Sequence, residues 1–232
     1  MSVPRHIAVI PDGNRRWAKA RGLDPWEGHE AGAKNSELLI RESRRLGVRE
    51  FSLWGSSLEN LRKRPMTEKQ ELLRIYLTHF RKLLDDQEIM DEGVRVRCIG
   101  RWKEQFPDDL RQVIETISAK TEGNDRYVLN FFLAYSGDDD MVGAFRKAVV
   151  SGVRSEDVTA DTVKSFLSTK DVAPVDLLIR TGDDPHLSAG FLMWETANSQ
   201  LFFSEKLYPD FGAEDFSAAV TEYGKRDRRL GK

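Results

Sequence analysis

A dozen residues near the start confine this chain to few architectures. His6-Ile7-Ala8-Val9-Ile10 is a short apolar run that passes without a linker into Pro11-Asp12-Gly13-Asn14-Arg15-Arg16-Trp17. A run of that length suits a buried strand, and a helical pattern follows it. Gly13 lets backbone approach a ligand closely. The opening helix offers unpaired N–H groups and a positive dipole end, which suit phosphate. Arg15 and Arg16 add forked donors that match phosphate oxygens. Asp12 is the odd member, because phosphate repels a carboxylate unless a divalent cation or a proton transfer gives it a task. Asp12-Gly13-Asn14 alone would suit a plain turn. The strand, the paired arginines and Trp17 favour a metal-assisted diphosphate site.

The rest of the chain repeats the alternation. Apolar runs predict strands over 6–10, 50–54, 94–99, 127–134, 175–180 and 200–203. Helical patterns occupy 31–46, 67–92, 107–121, 141–150 and 159–167. Strands rich in Val, Ile, Leu and Phe without clean alternation imply a sheet covered on both faces. Helices between strands imply parallel crossovers. With no repeat or low-complexity linker, residues 1–232 read as one α/β domain: a central, mostly parallel sheet flanked by helices. Ligands of such sheets sit beyond the carboxyl ends of strands. The polar clusters 12–17, 56–60, 135–140 and 180–188 fall at those ends.

Composition excludes several classes. The chain has 232 residues, is 32% charged and carries a net charge of −2. That balance argues against nucleic acid as the main partner. The single Cys98 excludes an internal disulfide and a thiolate metal cage, and it suits a reducing cytosol. No apolar run reaches the ~18 residues that span a bilayer, and no signal peptide is expected. Association with a membrane surface stays open.

Other clusters carry two readings each. His29 after Gly28 is either a satisfied polar residue or a diphosphate contact. Ser56-Ser57-Leu58-Glu59-Asn60 places hydroxyls and an amide at a strand end, where they can orient a ligand or relay a proton. The basic run Arg62-Lys63-Arg64 after it is either a solvated face or part of a site. Arg180, ending an apolar strand, needs solvent, a partner charge or an anionic ligand. Asp183 and Asp184 follow at once. The long helix carries Leu72, Ile75, Tyr76, Phe80, Leu83 and Leu84 at three-to-four spacing, as core packing or as one wall of an apolar tunnel.

Taken together, HIAVIPDGNRRWAK, EGHEAGA, LWGSSLEN with RP behind it, APVDLLIRTG, FF…LYPDF and RDRRLG resemble the cis-prenyltransferase family. The blocks keep the family's order over nearly the whole chain. The resemblance implies a cytosolic homodimer that extends an allylic prenyl diphosphate with isopentenyl diphosphate and delivers its product to a membrane. It implies Asp12 as the essential carboxylate, working with Mg²⁺. Gly13, Asn14, Arg15, Arg16 and Trp17 would cradle the allylic diphosphate, helped by His29 and Arg64. Asn60 and Ser57 match residues tied to positioning and proton removal, with Leu58 and Glu59 of the same block as substrate contacts. Arg180 and Ser188 match binders of isopentenyl diphosphate. Arg229 and Gly231 match a tail that closes the site across the dimer. The helix over 67–92 matches a tunnel wall, with Leu72, Tyr76, Phe80 and Leu84 as candidates for setting product length.

Departures from the family pattern gather on the isopentenyl side. Ser136-Gly137-Asp138 replaces Gly-Gly-Arg, His186 stands where an arginine is usual, Pro25 replaces another, and Gln200 replaces a glutamate that helps hold metal. Gln carries no charge and should hold Mg²⁺ less well. Asp138–Asp140 and Asp183–Asp184 are expected to lie at adjacent strand ends and supply the missing carboxylate. Two alternatives follow: a member with a changed acceptor substrate, or a noncatalytic partner subunit. The intact Asp12 and its arginines favour an enzyme. A nucleotide-binding fold lacks support, since no GxGxxG or GxxxxGK[ST] opens the first helix.

Overall fold

The computed structural model describes residues 2–226. Strands β1 (His6–Ile10), β2 (Glu50–Trp54), β3 (Val94–Ile99), β4 (Tyr127–Phe132), β5 (Leu177–Arg180) and β6 (Gln200–Phe203) form one sheet. Their order is β3-β4-β2-β1-β5-β6 and every neighbouring pair is parallel. The chain builds from β1 towards one edge and later returns to place β5 on the other side of β1. The order therefore reverses between β1 and β5, which is where such sheets open a ligand crevice.

The helices are α1 (Asn14–Ala20), α2 (Pro25–Arg45), α3 (Leu58–Lys63), α4 (Met66–Asp85), α5 (Gln87–Asp91), α6 (Trp102–Gln105), α7 (Asp108–Lys120), α8 (Gly137–Ser151), α9 (Ala160–Phe166) and α10 (Ala213–Lys225). Both faces of the sheet are covered. Ile7 and Val9 pack with Leu39 of α2, Leu72 of α4 and Ile114 of α7. Ala8 and Ile10, pointing the other way, join Trp54, Phe132 and Phe191, where the Trp54 and Phe191 rings stack at 5.1 Å.

Several boundaries differ from expectation. The helix expected over 31–46 starts at Pro25, because Asp24 and Glu27 form a reciprocal capping box around a proline in the first turn. Gly28 and His29 therefore lie inside α2. The helix expected over 67–92 breaks at Asp86, whose extended backbone ends α4 and whose carboxylate caps α5 through the Glu88 N–H at 3.0 Å. The strand expected over 127–134 stops at Phe132, and Ala134 turns the chain with φ +50°. The strand over 175–180 starts at Leu177. α3 was not anticipated; Ser57 caps it by accepting from the Asn60 N–H at 2.9 Å.

Tight contacts fix the first helix against α2 and the segment at Leu207. Gly13 takes φ +108°, and a Cβ there would come within 2.8 Å of Leu207. At Gly28 a Cβ would sit 2.1 Å from the Asn14 carbonyl oxygen, and at Gly32 2.4 Å from Asn14 Oδ1. These glycines let α2 cross directly beneath the start of α1. No described helix is long and apolar enough to cross a membrane.

Candidate active site

Asp12 lies two residues past β1, and Arg180 is the last residue of β5, paired in register with Ile10. The crevice between these strands brings them together. Arg180 Nη2 donates to Asp12 Oδ2 at 2.8 Å, and Arg16 Nη2 donates to Oδ1 at 3.1 Å. The Asp12 backbone is pinned as well. Thr181 Oγ1 donates to its carbonyl at 2.8 Å, and the Tyr208 N–H donates to the same oxygen at 3.0 Å.

Arg180 is 4% exposed and is ringed by acceptors. Its Nη1 donates to the His186 carbonyl at 2.8 Å and to Ser188 Oγ at 2.7 Å, while Nη2 also reaches Asp184 Oδ2 at 3.1 Å. His186 Nδ1 lies 2.7 Å from Asp184 Oδ1, and its Nε2 lies 3.0 Å from Ser188 Oγ. His186 thus orients the carboxylate and the hydroxyl that meet Arg180.

A second charge cluster faces this one across the cleft. Arg64 Nη1 donates to Glu68 of α4, and to His29 Nε2 at 2.6 Å. Arg15 Nε stands 3.5 Å from Glu68 Oε1. Burial, with Arg64 beside it, pushes the His29 imidazole down to about 4 against the weaker pull of Glu68, so the ring is neutral at pH 7. Burial resists ionisation of Glu68, yet Arg64, His29 and Arg15 together hold its carboxyl below the usual range. Glu68 was missed in the sequence. Its partner Arg64 lies in the extended link between α3 and α4, so no helical spacing in the sequence announced the pair.

The cleft between the clusters measures about 1030 Å³, and its lining includes Asp12, Arg15, Arg16, Asn60, Arg180 and Ser188. Gly13, Asn14, His29, Ser57 and Arg64 line it too. Below it lies an apolar cavity of about 120 Å³ between α2, α4 and the sheet. The two share Pro11, Asn14, His29 and Gly55, so the charged cleft opens onto hydrocarbon-lined space. Leu72, Tyr76 and Phe80 line that cavity as expected. Leu84 does not; Leu83 lines it, while Leu84 packs against the core.

Other expected residues lie elsewhere. Trp17 turns to the far side of α1, where its Nε1 donates to Asp210 at 2.7 Å and Arg21 stacks on its ring. Leu58 is buried in the core, and Glu59 is exposed beside Lys63. The strand ends that carry Asp138–Asp140 and Asp183–Asp184 are not neighbours, because β2 and β1 separate β4 from β5 in the sheet; the start of α8 meets the loop after β5 further on, where the Gly137 N–H donates to the Ala189 carbonyl at 2.8 Å. Asp139 pairs with Arg101, and Asp140 accepts from the Ser168 N–H at 2.8 Å. Of these acids, Asp184 alone shares a guanidinium with Asp12. Gln200 opens β6 level with Leu177, three residues and about 10 Å short of the strand end that carries the site. It cannot stand beside Asp12 within one chain. Arg229 and Gly231 lie outside the described residues.

The His29 environment sets a pH dependence of stability. An unfolded imidazole takes a proton near 6.5 and the folded one near 4, so between those values the unfolded state binds more protons. Stability should fall as pH drops from 6.5 to 4, by up to about 3 kcal/mol. Denaturant melts across that range check this, and His29→Gln should flatten the decline.

A crossover sheet with a charged cleft at its switch point, draining into an apolar pocket, defines a protein that grips an anionic head and an oily tail. The chain belongs to the cis-prenyltransferase family: the family model described as putative undecaprenyl diphosphate synthase matches residues 10–231. A tritrans,polycis-undecaprenyl-diphosphate synthase (geranylgeranyl-diphosphate specific) of Pyrococcus abyssi is 37% identical over 99% of this chain and 88% of its own. An isoprenyl transferase of Thermus thermophilus is 33% identical over 99% and 89%. Among solved structures, lavandulyl diphosphate synthase from Lavandula x intermedia, in complex with dimethylallyl diphosphate, superposes with a TM-score of 0.92 at 32% identity, covering 99% of both chains.

Proposed function

We propose that this enzyme joins an allylic prenyl diphosphate to isopentenyl diphosphate with Mg²⁺ and releases a cis-polyprenyl diphosphate. The observation that carries the reading is the Asp12–Arg180 pair, set at the switch point of a cleft that opens onto an apolar cavity. Mg²⁺ is commonly held by one or two carboxylates together with substrate phosphates. Asp12, part-exposed into a cleft lined with arginines, fits that donor set. Bound there, the ion would neutralise charge on the departing diphosphate.

The protein's own groups supply the rest. Arg15 and Arg64 at one end of the cleft, with Arg16 beside Asp12, stabilise the charge that builds as the allylic C–O bond breaks. Arg180 and Ser188 hold the second diphosphate. Asn60, at the cleft wall, orients the reacting end of the acceptor. The new C–C bond leaves a proton to be removed, and the departing diphosphate is the base at hand. The hydrocarbon tail lies in the cavity, away from water. The arginines pair with Asp12, Asp184 and Glu68, so a bound diphosphate would exchange for internal carboxylates.

A homodimer belongs to the same reading. Val142, Phe145 and Val149 line one stripe of α8 and are exposed, as are Leu201 and Phe203 on the edge strand β6. Apolar surface arranged this way marks an association face. Release of product at a membrane follows from its apolar tail.

Incubation with Mg²⁺, labelled isopentenyl diphosphate and allylic starters of increasing length, followed by sizing of products, tests the proposal. Absence of any elongated product would end it. His186 in the place of an arginine, and the likeness to an enzyme solved with dimethylallyl diphosphate, favour one second reading, a changed acceptor. Dimethylallyl diphosphate offered as the only acceptor distinguishes the two.

A further inference from the structure

The apolar cavity ends on charge. On α4, His79 Nδ1 lies 2.7 Å from Glu37 Oε1 of α2, and Lys82 donates to the other oxygen of the same carboxylate. His79 Nε2 is buried, makes no hydrogen bond and stands 3.5 Å from Glu30 Oε1. Burial opposes ionisation of Glu37, but Lys82 and His79 outweigh it and hold the carboxyl below its usual range. Glu37 and His79 both line the cavity, among Ile40, Leu72, Phe80 and Leu83.

Beyond this pair lies a second hollow of about 40 Å³, which shares Glu37, Ile40, His79 and Leu83 and is otherwise lined mainly by charged residues such as Arg41, Arg44 and Asp86. A tail descending from the cleft meets Glu37 and His79 before it can reach that hollow. Passing would pull apart a hydrogen-bonded pair and press alkyl groups on an ionised carboxylate, which is costly. The room above the pair is small. A cavity of about 150 Å³ admits benzene, so about 120 Å³ holds only the far end of a tail whose remainder lies in the cleft above.

We propose that the Glu37–His79–Lys82 bridge between α2 and α4 is a polar stop that sets the length of hydrocarbon tail the enzyme accepts and releases. This rests on the prenyl-transfer reading above. The three residues touch no reacting atom; they set specificity from the far end of the tail.

Two measurements test it. In turnover assays with dimethylallyl, geranyl and farnesyl diphosphate as starters, His79→Ala and Glu37→Ala should release products longer by at least one isoprene unit. Their kcat/KM for farnesyl relative to dimethylallyl diphosphate should rise ~10-fold. Wild-type product lengths in variants that still turn over would overturn the proposal. Glu37 is part-exposed, so Glu37→Ala serves if His79→Ala does not fold. Binding of alkyl diphosphates of graded length, followed by calorimetry, needs no turnover. Wild-type affinity should drop ~10-fold once the tail outgrows the cavity, and the variants should lose that drop. An identical length profile in all three proteins defeats the stop, whereas a wild type that binds with the drop but makes no product defeats only the prenyl-transfer reading.

Discussion

Asp12→Asn should lower kcat by about 10³-fold while KM for both diphosphates stays within a few fold. The amide matches the carboxylate in shape, and the backbone of residue 12 keeps its bonds from Thr181 and Tyr208. The fold should therefore persist. The lost charge is what matters. A carboxylate beside phosphate is repelled until a cation joins them, so Asp12→Asn should bind inorganic pyrophosphate without Mg²⁺ more tightly than wild type does. It should also lose most of the gain that Mg²⁺ confers. Calorimetry with pyrophosphate, with and without Mg²⁺, reads both effects. Wild-type turnover in this variant would remove Asp12 from the chemistry.

Arg180→Met should damage binding and stability together. The methionine keeps the apolar stem but removes the charge from a site where Asp12 and Asp184 share one guanidinium. Breaking a fully buried pair costs about 3–5 kcal/mol. Asp184 is half exposed, so about 2 kcal/mol is expected here, or roughly 4–8 °C in Tm for a chain of this size. Removing two charge-assisted bonds to a diphosphate should raise KM for isopentenyl diphosphate about 100-fold. The allylic substrate, held at the Arg15–Arg64 end, should change much less. Arg180→Lys restores charge without the fork and should recover Tm more than KM. Equal KM changes for both substrates would count against the separation of the two diphosphate positions.

What could be read from the sequence was local. Asp12 through Arg16 follow one strand and open one helix, so their shared chemistry needed no tertiary knowledge. Arg180 was legible as a charge ending an apolar strand, but not its partner. Asp12 lies 168 residues away, and only the reversal of strand order between β1 and β5 joins them. The same missing order explains why Asp138–Asp140 were placed beside Asp183–Asp184. The placement of Gln200 could have been corrected from the sequence alone. It opens the strand expected over 200–203, and ligands of parallel sheets sit where strands finish. Glu68 and Trp17 failed for one shared reason. Periodicity shows that a residue lies on a helix, but which side faces the cleft depends on how that helix packs. α2 began early because Asp24, Pro25 and Glu27 form a start signal that outranks the later apolar periodicity.

The contact of α2 with α1 through Gly28 and Gly32 has a wider meaning. One helix holds up the loop that grips the anionic head at its first turns and presents Glu37 to the tail three turns further on. If the polar stop holds, substitutions in its later turns should change the length of lipid made while the bond-making machinery stays intact. Change at the glycine end has no such latitude, because two backbones already touch there.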